Sequence, residues 1–188
     1  IEQKKDKFKI KGKIITDKKN IDNDILNDLF AKNFKNFYVE DIRFGSENNF
    51  SLDVSKKFKV SNVKFQSLIN LDNLKYKKNF SNIKKYLRNF KNFIKLENHK
   101  VSINYHNKKL DIIGKGQIKI NEESDNVDYK IIKKNNQYSF NSNIKIINNL
   151  LLLDAFQYEK KEKKDSLLSF KGIYKENKSL VFDSISLT

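Results

Sequence analysis

The sequence predicts a mainly β protein with two short amphipathic helices, its strands joined in a curved antiparallel sheet that forms an elongated β-groove. Three observations carry that expectation. Apolar and polar residues alternate almost without error over residues 111–146. Polar turns recur at short, regular spacing, as antiparallel neighbours require. Only two stretches change to helical period, too few to cover the apolar face of so many strands. A β-sandwich, or a closed barrel, is the alternative way of hiding that face.

The strands begin at residues 7–15, where Phe8, Ile10, Gly12 and Ile14 alternate with Lys9, Lys11 and Lys13. Residues 20–32 then take helical spacing through Ile21, Ile25, Leu26, Leu29 and Phe30. Asn20 is placed to cap this helix, and acidic residues early with Lys32 and Lys35 late complement its dipole. Strand pattern returns in pieces at 38–44, 50–54, 57–68 and 71–76, separated by the polar stretch 45–49, Ser55 and Asn70. Within 57–68 the apolar parity switches near Ser61 and Asn62, which predicts a bulge.

A second helix is predicted at 81–95, with Ile83, Leu87, Phe90 and Ile94 as its stripe and Lys84, Lys85, Arg88, Lys91 and Lys95 opposite. Such a basic helix packs on the sheet or lies on an anionic membrane surface. Residues 100–105 form a further strand, flanked by His99 and His106, which read as surface or strand-end histidines.

The meander at 111–146 is the clearest stretch. Ile112, Gly114, Gly116, Ile118 and Ile120 share one face, followed on the next strands by Val127, Tyr129 and Ile131, then Tyr138, Phe140, Ile144 and Ile146. The two glycines permit a bend or close approach at the inner face. Residues 150–158 continue the pattern loosely, and a hairpin at 167–174 and 180–187 closes the chain. No linker or boundary divides residues 1–188, which read as a single segment of a longer protein.

Composition removes several function classes. There is no cysteine, hence no disulfide framework and no thiol chemistry. No metal-ligand spacing, paired carboxylates, phosphate loop or nucleophile elbow occurs, so neither an enzyme nor a cofactor is expected. No apolar run approaches the roughly 20 residues that span a bilayer. The net charge of +16 comes almost wholly from lysine, with Arg43 and Arg88 the only arginines. Base-reading contacts favour arginine, and the aromatic residues fall on the parity opposite the lysines. Nucleic acid is therefore not the expected partner. A basic binding module for nucleic acid or anionic surfaces stays as the alternative, with a non-transporting envelope scaffold beside it.

The strand texture of 127–132, 138–141, 150–158, 166–174 and 180–187, with short helices interrupting earlier strands, resembles the AsmA-like family of Gram-negative envelope proteins, of the TamB and YhdP type. The resemblance implies a taco-shaped β-groove conducting phospholipid acyl chains between inner and outer membranes, and a periplasmic location with the parent chain anchored in the inner membrane. Envelope proteins are the other partners it implies. The family has no catalytic residues to carry over. The residues expected to face lipid are Ile112, Ile118, Ile120, Val127, Tyr129, Ile131, Tyr138, Phe140, Ile144 and Ile146.

Overall fold

The computed structural model describes residues 2–4, 7–22, 24–25, 38–77, 93–120, 123–153, 157–161, 164–175 and 179–188. Twelve strands are present among them: β1 (Glu2–Lys4), β2 (Lys7–Asn20), β3 (Tyr38–Ser55), β4 (Val60–Lys77), β5 (Phe93–His106), β6 (Lys109–Lys119), β7 (Ser124–Lys134), β8 (Gln137–Ile146), β9 (Leu151–Leu153), β10 (Tyr158–Lys160), β11 (Ser166–Lys175) and β12 (Ser179–Leu187). Ten form one antiparallel sheet in the order β1-β2-β3-β4-β5-β6-β7-β8-β11-β12, and β9 pairs only with β10. The large sheet is curved and unclosed, since β1 and β12 both end it without meeting. Right-handed twist accumulating over this many strands is expected to curl an open sheet.

Register places the alternating residues in rows across the sheet. Ile14, Asn48, Ser67, Ile103, Ile112, Ile131, Phe140, Gly172 and Phe182 are successive cross-strand partners from β2 to β12. The next row runs Thr16, Ser46, Ile69, Val101, Gly114, Tyr129, Ser142, Phe170 and Ile185. Paired residues point to the same side, so these rows define an inner, mostly apolar face. Lysines such as Lys9, Lys11, Lys100, Lys115, Lys130 and Lys171 take the other parity and are exposed or half-exposed.

A line of irregularities crosses the first half of the sheet. Register shifts occur in β2 between Thr16 and Lys19, in β3 between Glu40 and Phe44, and in β5 between Glu97 and Lys100. They are aligned because Lys19, Phe44, Leu71 and His99 are successive partners. Asp41 and Asn98 supply the positive φ values, 51° and 53°, that only short polar side chains accept readily. Bulges increase local twist, so this line is a crease in the sheet. On its outer side Lys18 Nζ lies 2.6 Å and Arg43 Nε 3.5 Å from the Asp72 carboxylate.

Several expectations are corrected. Residues 45–49 are not a turn, and Asn70 is not a break: β3 and β4 each run 18 residues without interruption. The polar stretch stays extended because Asn48 and Ser46 bond to each other and Ser67 Oγ donates to Asn48 Oδ1 at 2.6 Å. Residues 57–59 belong to the β3–β4 turn, where Phe58 has φ of 56°. The expected bulge near Ser61 is present, with Asn62 at φ 51° and its amide donating to Asp53.

The predicted helices at 20–32 and 81–95 fall largely outside the described residues. Asn20 is the last residue of β2 rather than a cap, and Phe93–Lys95 open β5. Among the described residues only the pair Asp24–Ile25 is helical, and no helix is long and apolar enough to cross a membrane. Of residues 150–158, Leu151–Leu153 and Tyr158 do not extend the large sheet but pair in the separate β9–β10 ladder.

Candidate functional site

Buried apolar side chains are few among the described residues: Val39, Leu71, Val127, Ile146, Leu151 and Leu152. The solvent-accessible surface is 13,499 Å², whereas a compact monomer of this mass exposes roughly 9,400 Å². No second layer of comparable size faces the sheet among the described residues, so the sandwich alternative is not what is observed. The inner face is instead a broad apolar surface that is half-buried by its own curvature and neighbours.

Nine of the ten predicted residues are brought onto that face by pairing. Ile112 is partnered with Ile131, Ile131 with Phe140, and Val127 with Ile144. Tyr129 lies between Gly114 and Ser142, while Ile118 pairs with Leu96 and Asp125. Tyr138 pairs with Tyr174, their rings 5.9 Å apart, and Ile146 pairs with Ser166. Ile120 lies just beyond the last paired residue of β6, half-buried, and is the one member that no pairing places on the face.

Residues outside the meander extend the surface on both sides. Val101, Ile103 and Tyr105 of β5 continue it toward β4, and Leu168, Phe170, Phe182 and Ile185 continue it to the free edge. Phe140 packs edge-on against both Phe170 and Phe182, with centroids 6.3 Å and 5.8 Å away. The alternation in residues 101–105 and 168–172 was the available signal for them.

Glycine and aromatic residues interlock on this face. A Cβ on Gly114 would collide with the Tyr129 ring, one on Gly12 with the Phe50 ring, and one on Gly172 with Phe140. Each of these glycines is the direct cross-strand partner of that ring. The ring therefore lies down over the glycine instead of standing into the trough. None of the glycines has positive φ, so space rather than backbone freedom explains them.

His99 departs from expectation. It is 1% exposed, at the bulge in β5, with its ring occupying the place of a side chain at Gly116. Its Nε2–H donates to the Gln117 carbonyl at 2.9 Å, while Nδ1 is buried without a hydrogen-bond partner. Burial holds its pKa below the usual histidine value, despite the opposing effect of the Gln117 carbonyl. The Tyr129 ring is 6.0 Å away, and burial raises that phenol. His106, by contrast, is exposed at the end of β5.

One end of the inner face is covered. Asp125, 4% exposed, accepts the N–H groups of Ile147 and Asn148 through Oδ1 and the Asn149 amide through Oδ2. Lys160 of β10 has no exposed surface, and its ammonium donates to the carbonyls of Ile147, Asn149 and Lys161 at 2.9–3.0 Å. Tyr158 Oη lies 3.4 Å from Ser166 Oγ. These bonds fasten the β9–β10 hairpin beside Ile146 and Ser166. At the opposite end Tyr174 and Leu180 are open to solvent, and Lys133 shares the inner parity with its ammonium 4.7 Å from the Tyr138 ring centre.

Among the described residues no three His, Asp or Glu side chains are grouped to hold a metal ion. No protein-family model, curated protein or solved structure matches the chain.

Proposed function

We propose that this chain is a segment of an apolar β-trough that shields phospholipid acyl chains in transit between the inner and outer membranes, within a periplasmic protein anchored in the inner membrane. The observation that carries this reading is an inner face that, among the described residues, no second layer covers. Leu180, Phe182 and Ile185 expose 56%, 47% and 63% of their surface on the same side as the half-buried Ile112, Ile131 and Phe140. Exposed apolar surface costs about 25 cal/mol per Å², which an acyl chain laid along the rows would relieve. The rings laid over Gly114 and Gly172 keep the floor low enough for such a chain. The resemblance to AsmA-like proteins points to the same ligand and supplies the periplasmic setting.

The test is a photo-crosslinking amino acid placed at Tyr129, Phe140 or Ile185 in cells, with Asn141 on the outer face as control. Phospholipid should be captured from the three inner positions and not from Asn141. Absence of lipid adducts at all three inner positions overturns the proposal.

A further inference from the structure

The outer face carries a second feature, independent of the trough. A depression of about 600 Å³ lies over β4 to β7, lined on that face by Leu68, Lys100, Ile113, Lys115, Asp128 and Lys130. Lys100 and Lys115 are direct cross-strand partners, and Ile113 is the partner of Lys130. Like charges directly opposite are destabilising in a sheet, which leaves this part of the surface short of an anion. None of the three lysines forms an ion pair or hydrogen bond among the described residues. Among the described lining residues Asp128 is the one carboxylate; it faces Lys115 and also accepts the Asn143 amide at 2.9 Å. On the same outer face of the depression, Leu68 and Ile113 expose 59% and 50% of their surface.

We infer that this depression docks the protein on an anionic phospholipid bilayer. Three ammonium groups against one carboxylate leave an excess of positive charge that matches a layer of lipid phosphates. The two exposed aliphatic side chains match the glycerol and upper acyl region just beneath it. Nucleic acid would be served by the lysines but not by Leu68 and Ile113, because no aromatic side chain on the outer face of this depression offers a base a stacking surface.

The experiment is flotation of the 188-residue chain with vesicles of phosphatidylcholine, with and without phosphatidylglycerol as about a third of the lipid. Each lysine near an anionic membrane contributes about 1 kcal/mol, or roughly fivefold. The triple variant Lys100→Gln, Lys115→Gln, Lys130→Gln should therefore bind the anionic vesicles on the order of a hundredfold more weakly. A charge-matched variant, Lys57→Gln, Lys59→Gln, Lys108→Gln, alters exposed turn lysines instead and should lose less than about fivefold. Leu68→Ser with Ile113→Ser should lower binding to the same vesicles without changing its salt dependence. Equal losses in the two lysine triples would overturn the site in favour of diffuse charge. So would unchanged vesicle binding accompanied by lost binding to single-stranded RNA in the first triple. Circular dichroism of both triples guards against misfolding, and a variant set of Lys100→Glu alone supplies the same comparison if the triple does not fold.

Discussion

At Gly114 the chain leaves room for a ring, and that claim is open to a coupling measurement. Gly114→Ala should destabilise the protein by roughly 1–3 kcal/mol, because the new methyl must displace the Tyr129 ring. In a Tyr129→Ala background the same change should cost much less, since the obstacle is gone. Urea denaturation of the four proteins measures the coupling; additive effects would show that the ring yields freely. Lys160 makes a second claim at this scale. Its ammonium satisfies three carbonyls in a site without solvent access, so Lys160→Met should cost about 3 kcal/mol by leaving them unpaired. The loss should appear first as faster amide exchange in β9 and β10, which that side chain fastens to residues 147–149.

His99 belongs to the element that holds it, the bulged middle of β5. Its folded-state pKa lies below the unfolded value near 6.5, so the neutral ring is the form that stabilises the fold. That stability is fully present above about pH 6.5 and is lost as pH falls below it toward the folded pKa. Glu40, Glu47 and Glu97 are also depressed, chiefly by hydrogen bonds from Lys77, Lys13 and Lys95, but their losses begin only below about 4.5. Between pH 7.5 and 5.0 the wild type should therefore lose stability that His99→Phe does not lose, His106 being common to both. Parallel pH profiles for the two proteins would refute the assignment. The same strand shows where sequence alternation was legible and where it was not. In β6, β7 and β8 the inner parity is apolar except at Asp125, Lys133 and Ser142, so most of the face could be read residue by residue. His99 shares the parity of Val101 and Ile103, but the polar Asn98 and Lys100 around it hid the strand's true start. Residues 45–49 lack apolar side chains altogether; they are extended because β2 and β4 supply ladders on both sides, which no local preference records. Phe93–Lys95 failed differently, since one apolar stripe at intervals of three and four suits a helix until a neighbouring strand claims its end.

At the scale of the whole molecule, an inner apolar face that meets solvent behaves differently from a core. Ile185 is 63% exposed in β12, on the same row as Tyr129 and Phe170, and Phe182 is 47% exposed on the row of Ile112 and Phe140. In a closed sandwich a lysine at either place would bury an unpaired charge and cost several kcal/mol. In the open trough its ammonium reaches water along the unpaired edge of β12, and the cost should stay below about 1 kcal/mol. The same charge would meet a lipid tail directly. Ile185→Lys and Phe182→Lys should therefore retain the wild-type urea midpoint closely while binding a fluorescent long-chain fatty acid at least tenfold more weakly. Lysine at Ser184, whose alternate parity puts it on the outer face, should leave both quantities unchanged. If either inner variant unfolds at much lower urea, the face is packed interior and the trough reading fails. If stability and fatty-acid binding are both unaffected, the trough is open but acyl chains do not use its β12 side.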